Sequence, residues 1–264
     1  MHQIVLFALL GALSASAYAT WLWRLSLRGG RVQTGHLQLA DFLVTSVIVI
    51  FFVLLSGLGF LAKGDEPAAP LTVQTMVLSL SVNLAIASGL AAFLAFRPGS
   101  IVAFLGLRSV SLPKVVLYAL LFLVVAYPGL QMLALLTKSF AHVSDEQILV
   151  TLFRQEARDH DFRGTAAIFV AASVLAPLME EFMFRGYVYG TLKRYGGAPA
   201  AAVFTSALFA LIHVNLSSLP PLFFLALCLT IAYEWTGSLL VPITMHALFN
   251  TANLVGLYLT AQNP

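Results

Sequence analysis

Apolar runs of roughly the length of a membrane-spanning helix alternate with short polar segments along almost the whole chain. A helix needs about 20 apolar residues to cross the hydrocarbon core of a bilayer. The runs that come near this length are residues 4–23, 42–61, 71–96, 115–136, 165–195, 199–214, 221–235 and 241–260. The pattern therefore predicts an all-α fold, a polytopic transmembrane helical bundle of about eight membrane helices.

Composition agrees with this fold class and restricts the partners. Of the 264 residues, 60% are hydrophobic and only 9% are charged, and the net charge is +3. The basic residues lie in short loops such as 24–31 and 97–114, where the excess of Lys and Arg on cytoplasmic loops accounts for them. We expect an integral protein of the bacterial inner (plasma) membrane, with the lipid bilayer as a partner and no nucleic acid.

The chain divides into three parts within one integral-membrane domain. Residues 1–137 hold the N-terminal transmembrane helices, residues 138–164 form a polar connector, and residues 165–264 form a C-terminal transmembrane core. The connector carries charges of both signs together with apolar Leu152 and Phe153. This mixture fits either an amphipathic helix at the membrane interface or a solvated linker.

The segment PLMEEFMFRG at 177–186 places three ionisable residues inside an apolar run. A charged side chain at the centre of a bilayer costs at least about 2.5 kcal/mol, so these groups need partners or a function. Residues i and i+4 share a helix face and adjacent residues do not, so we expect Glu181 to pair with Arg185. Glu180 is then a free carboxylate suited to general acid or base chemistry, although an interhelical ion pair is the structural alternative.

Two later segments place polar side chains at helical spacing in apolar runs. They are FALIH, from Phe209 to His213, and HALFN, from His246 to Asn250. Taken alone, each motif is also explained by hydrogen bonds between packed membrane helices.

The glycines at 196 and 197 predict how these motifs meet. Glu180 and His213 lie at equal distances along the chain from this pair of glycines. In an antiparallel helical hairpin that turns there, the two side chains reach a similar depth. His246 follows the next turn at the same end, so we expect all three to line one chamber that opens toward the cytoplasm.

The ordered motifs Glu-Glu-x-x-x-Arg, Phe-x-x-x-His and His-x-x-x-Asn resemble those of the CPBP family of intramembrane endopeptidases. That family includes the type II CaaX prenyl proteases, and the resemblance covers about residues 165–260. It implies a catalytic transmembrane core that hydrolyses a peptide bond of a membrane-associated protein or peptide, with or without an attached lipid.

The resemblance also implies roles for the motif residues. Those expected to take part in catalysis are Glu180, His213, His246 and Asn250. Those expected to support the site are Glu181, Arg185 and Phe209. Glu180 with His213 would activate a water, and His246 with Asn250 would stabilise the oxyanion.

Two alternatives stay open. No cofactor is favoured, but zinc held by Glu180, His213 and His246 would leave an open position for water; the chain lacks the His-Glu-x-x-His pattern that places two zinc ligands on one helix. A non-proteolytic scaffold, or a transporter with a proton relay, also uses buried charges. A relay requires ionisable groups along a path across the bilayer, whereas these cluster at a similar depth.

Overall fold

The computed structural model of the chain describes residues 2–62, 73–97, 100–141 and 148–261. Within these ranges the chain is helical apart from turns and short loops, and it contains no strand, so the predicted all-α fold is confirmed. The α-helices are α1 (His2–Arg28), α2 (Leu39–Ala62), α3 (Val73–Ala95), α4 (Ile101–Phe104), α5 (Leu112–Ala141), α6 (Ile148–Arg158), α7 (Phe162–Val170), α8 (Ala176–Glu181), α9 (Gly190–Gly196), α10 (Ala198–Leu211), α11 (Leu219–Thr236) and α12 (Leu240–Ala261). Two π-helical segments, π1 (Ala171–Leu175) and π2 (Phe182–Tyr189), join α7, α8 and α9 into one continuous helix over residues 162–196.

In the described part of the chain, seven helices are long and apolar enough to cross a membrane. The chain is therefore an integral membrane protein, as predicted. The remaining predicted run, 199–214, is shorter than expected: it corresponds to α10, which has 14 residues. At 1.5 Å per residue α10 is about 21 Å long, which is less than the thickness of about 30 Å of the hydrocarbon core.

The predicted turn between the first two motifs is present. Gly197 has φ of 81°, a left-handed conformation that glycine adopts without steric cost, and it separates α9 from α10. Pro199 lies in the first turn of α10, where a missing backbone N–H leaves no hydrogen bond unmade. The two helices thus form the hairpin that brings the first two motifs together.

The polar connector contains a helix, α6, whose apolar face packs against the bundle. Leu152 and Phe153 are buried in a cluster with Ile168 of α7 and Leu254 of α12. The apolar side of this amphipathic helix is thus covered by protein.

Three loops meet at one end of the bundle. The backbone N–H of Arg31 donates to the carbonyl of Glu234 at 3.1 Å, which joins the loop after α1 to the end of α11. Gly106 lies so close to Gly237 that a Cβ there would come within 1.8 Å of the Gly237 carbonyl oxygen. Glycine at 106 therefore permits this contact, and the two basic loops share one end of the bundle, as predicted.

Candidate active site

The continuous helix 162–196 carries the first motif, and its backbone has π geometry before and after the short α-helix that ends with Glu180 and Glu181. Pro177 has no N–H and removes one α-helical hydrogen bond. The preceding turn is wider, and the N–H of Ala176 donates to the carbonyl of Ala171, five residues back. Segments of this kind are rare and occur frequently at functional sites. The second one, π2, begins directly after Glu180 and Glu181.

Glu181 and Arg185 form the ion pair that their spacing predicts. Arg185 Nη1 donates to Glu181 Oε1 at 2.6 Å, and both side chains are buried. Arg185 Nη2 also donates to the carbonyl of Ala226 on α11 at 3.1 Å. The guanidinium lies over the ring of Phe209, 4.6 Å from its centre. Three elements therefore fix the position of this cation.

His246 of α12 contacts both glutamates. Its Nδ1 lies 2.9 Å from Glu181 Oε1, and a ring N–H there donates to the carboxylate. The opposite nitrogen, Nε2, lies 4.0 Å from Glu180 Oε2. Glu181 thus orients the imidazole, and Glu180 faces the nitrogen that is left for chemistry.

His213 lies in the turn that follows α10 rather than on the helix. Its Nδ1 is 2.7 Å from the carbonyl oxygen of Phe209, so Nδ1 donates and Nε2 carries the lone pair. The next residue, Val214, has φ of 47°, a conformation that is strained for a β-branched side chain.

The ring of Phe209 lies against both histidines. Its centre is 4.9 Å from that of His213 and 5.8 Å from that of His246. Phe209 is fully buried and also packs edge-on against Phe184 of π2. A single aromatic ring thus packs against both imidazoles and the Arg185 guanidinium.

Asn250 forms a hydrogen bond between helices, as in the structural alternative for this motif. Its Nδ2 donates to the backbone carbonyl of Ala172 at 2.8 Å, which ties α12 to π1. One of the two N–H groups of the amide is therefore used between helices, and the other remains for a ligand.

In the zinc alternative, the ligands would be Glu180, His213 and His246. Among the described residues, no three His, Cys, Asp or Glu side chains are grouped so that they could hold a metal ion. Both site histidines do use Nδ1 as a donor and keep Nε2 available, an arrangement found for zinc ligands and for imidazoles that act on protons.

Sequence reasoning missed two kinds of contact at this site. The carbonyls of Ala226 and Ala172 bind Arg185 and Asn250, and a backbone acceptor leaves no mark in the sequence. The contact between Glu181 and His246 joins residues 65 positions apart. The sequence indicates only that His246 lies in an apolar helix and needs a polar partner. It does not indicate whether that partner is Glu180 or Glu181.

The fold and the site define a polytopic membrane protein with a buried glutamate and histidine centre. Residues 162–252 match the sequence model of the family described as type II CAAX prenyl endopeptidase Rce1-like. This segment contains all three motifs, so the predicted resemblance is confirmed for this part of the chain.

Two curated relatives match over a similar length. The chain is 34% identical over 84 residues to the membrane-embedded CAAX protease MroQ of Staphylococcus aureus, covering 30% of this chain and 34% of that protein. It is 31% identical over 84 residues to YdiL of Bacillus subtilis, named as a membrane peptidase, covering 31% of this chain and 34% of that protein. The match thus spans about a third of the length of these relatives. No solved structure matches the chain.

Proposed function

We propose that the chain is an intramembrane endopeptidase that hydrolyses a peptide bond of a membrane-associated protein or peptide. The attacking group is a water molecule activated by Glu180 together with His213. The family match over residues 162–252 supports the reaction class. The observation that carries the assignment is the free face of the site, where Glu180 Oε2 and His246 Nε2 lie 4.0 Å apart.

Glu180 is the general base in this proposal. Glu181 is fully buried and is held by Arg185 and His246, whereas the side chain of Glu180 is 15% exposed. A water at about 2.8 Å from each atom spans the gap between Glu180 Oε2 and His246 Nε2. In that position the carboxylate takes a proton from the water as its oxygen attacks the carbonyl carbon of the substrate.

His246 stabilises the negative charge that the attack produces, and His213 helps to hold the proton. His246 donates to the oxyanion from Nε2 when both ring nitrogens carry a proton, while Nδ1 stays bound to Glu181. The free N–H of Asn250 is the second donor. His213, with its lone pair on Nε2, shares the proton with Glu180 until the proton passes to the leaving amine and the C–N bond breaks.

Substrate class and orientation are part of the same proposal. The basic loops at one end of the bundle support a cytoplasmic location of that end, and we propose that the site opens toward it. The substrate is a membrane-associated peptide, with or without a lipid. The name of the Staphylococcus aureus relative refers to CAAX substrates of that protein, which makes a lipidated peptide one of the two forms to test.

Purified protein in phospholipid vesicles tests the reaction class. Membrane-anchored peptides are supplied in pairs that differ only in an attached lipid, and new termini are detected by mass spectrometry. We expect cleavage by the wild type and none by a matched Glu180→Gln preparation. A folded wild type that cleaves no member of the panel, while carrying protons or a solute across the vesicle membrane, would contradict the proposal and favour the transporter alternative.

The same vesicles decide between a metal-free and a zinc-dependent reaction. We propose that no metal takes part, so a strong chelator should leave the rate unchanged and active protein should contain well under one zinc per chain. A rate that falls on chelation and returns with added zinc would make the histidines ligands.

A further inference from the structure

Two tyrosines of π2 are buried completely, and the hydroxyl of each reaches a buried carboxylate from another part of the fold. Tyr187 donates to Asp41 Oδ1 at 3.0 Å, and Tyr189 donates to Glu234 Oε1 at 2.6 Å. Side chains two positions apart leave a helix in nearly opposite directions. The two hydrogen bonds therefore hold π2 from opposite sides.

Contacts other than the one with Tyr187 fix the position of Asp41. It is fully buried at the start of α2, accepts from the backbone N–H of Gln38 at 2.6 Å and pairs with Arg97 at 2.5 Å. Arg97 follows the end of α3, so this carboxylate is tied to two N-terminal helices. Both residues lie outside the segment 162–252 that matches the family.

Glu234 is held in the same way on the other side. Lys193 Nζ lies 2.6 Å from Glu234 Oε1, and the backbone N–H of Val32 donates to Oε2 at 3.3 Å. A Cβ at Gly30 would come within 1.6 Å of Oε2, so a larger residue at this position would force the carboxylate to shift. The loop after α1 thus forms part of this anchor.

The hydrogen bonds from Tyr187 to Asp41 and from Tyr189 to Glu234 hold the segment that positions the catalytic groups. Arg185 lies two positions before Tyr187 in π2 and pairs with Glu181, which in turn orients His246. A π-helical segment is less regular than an α-helix, so its rotation about the helix axis depends on such tertiary contacts.

Building on the proposed function, we propose that Asp41 and Glu234 are positioning residues for catalysis. Through Tyr187 and Tyr189 they clamp π2 and set the direction in which Arg185 points. The N-terminal helices, which lie outside the family match, contribute to the rate in this way without touching the substrate.

The test compares three tyrosine variants that each lose one buried hydroxyl. Tyr187→Phe and Tyr189→Phe remove one side of the clamp. Tyr18→Phe is the matched control, because Tyr18 is fully buried and its hydroxyl donates to the carbonyl of Phe122 at 2.7 Å, which joins α1 to α5. We expect kcat per folded molecule to fall about 10- to 100-fold in the clamp variants, with KM within about twofold, and the control to keep its kcat.

A second readout does not require turnover. The ring signals of the six histidines are followed by NMR after selective ¹³C labelling, and the His246 signal is assigned with a His246→Gln sample. We expect this signal to shift in Tyr187→Phe and Tyr189→Phe and to stay unchanged in Tyr18→Phe. If Tyr187→Phe does not fold, Tyr189→Phe, which removes the hydrogen bond to Glu234, is compared with Tyr18→Phe on its own.

The outcomes separate this inference from the proposed function. If the wild type hydrolyses no peptide but the His246 signal shifts in Tyr187→Phe and Tyr189→Phe, the peptidase assignment is wrong and the clamp is supported. An active wild type whose clamp variants retain both kcat and the His246 signal would overturn the clamp. Equal losses in the clamp variants and in Tyr18→Phe would overturn it as well.

Discussion

The N-terminal helices and the C-terminal core differ sharply in how much protein surrounds them. In each of α1, α2 and α3, 17% of the most apolar stretch is buried, against 28% in α5 and in α12, 50% in the helix 162–196 and 61% in the span that contains α11. In an integral membrane protein the exposed apolar side chains face lipid. The N-terminal helices are therefore constrained mainly to be hydrophobic, whereas the C-terminal helices must also fit one another.

This difference explains where ionisable groups are tolerated. A charge at membrane depth needs a partner within protein, and helices with mostly lipid-facing surfaces offer few. Glu181, Arg185 and Glu234 are all buried in the C-terminal core. Among the described residues of the N-terminal helices, Asp41 is the buried charge, and its partner Tyr187 belongs to the core. The comparison predicts that equivalent changes have large effects in the core and small ones in α1 to α3.

Breaking the buried ion pair should produce the largest loss of stability. Arg185→Ala leaves the Glu181 carboxylate buried without its cation, which costs roughly 3 to 5 kcal/mol. Thermal melts in detergent should show a clear decrease, and Arg108→Ala, at an exposed arginine, should not. Replacing Glu181 and Arg185 together by apolar residues of similar volume should restore part of the loss. A melting temperature for Arg185→Ala equal to that of the wild type would refute the importance of the pair.

Removing the core imidazole should have the next largest effect, and on rate rather than on folding. His246→Gln should lower the cleavage rate by about 10² to 10³, the loss typical of an oxyanion donor. The matched change His36→Gln affects an exposed histidine of the loop before α2 and should leave the rate unchanged. His213→Gln should change the pH profile of the rate, because it disturbs the base. Equal rates for His246→Gln and His36→Gln would contradict these roles.

An asparagine-to-alanine change in each region should also differ in its cost to stability. Asn250→Ala removes the hydrogen bond to the Ala172 carbonyl and should cost about 1 to 3 kcal/mol, together with a loss of rate. Asn83→Ala on α3 removes an exposed bond to the carbonyl of Ser79 in the same helix and should cost well under 1 kcal/mol. Urea or thermal unfolding of both variants measures the difference, and similar costs would weaken the comparison.

The smallest effect is expected on the lipid-facing surface. Leu54 of α2 is 62% exposed, so Leu54→Ala should change the unfolding free energy by less than about 0.5 kcal/mol. A melting temperature that falls as far as that of Arg185→Ala would show that α2 is covered by a partner rather than by lipid.

Much of the fold, and part of the site, could be predicted from local rules. Helical spacing predicted the pair between Glu181 and Arg185, and the glycines at 196 and 197 predicted the hairpin. Hydrophobicity over 20 residues predicted the spans, but it overestimated α10, because the run 199–214 includes the turn at His213. Local patterns work for these features because the interacting groups are near each other in sequence.

The remainder depends on contacts that local patterns do not encode. Pro177 explains part of the π geometry near Glu180. The length of π2 has no such local cause, and this segment makes contacts with distant parts of the fold. Glu234 did have a signal, because it is a lone carboxylate inside the apolar run 221–235. The cost of burying a charge, applied to Glu180 and Glu181, applies to Glu234 as well. This cost predicts that Glu234 needs a partner, but it does not predict that the partners are Lys193 and Tyr189.

The rate of peptide cleavage by Glu180→Gln, measured against the wild type in the same vesicles, shows whether Glu180 is the general base. The amide preserves the shape of the side chain but cannot take a proton, and a general base contributes about 10² to 10⁴ in rate. We expect a loss of at least this order at an unchanged melting temperature, with full activity in a Glu156→Gln control on α6. A folded Glu180→Gln protein that cleaves at nearly the wild-type rate would show that Glu180 is not the base.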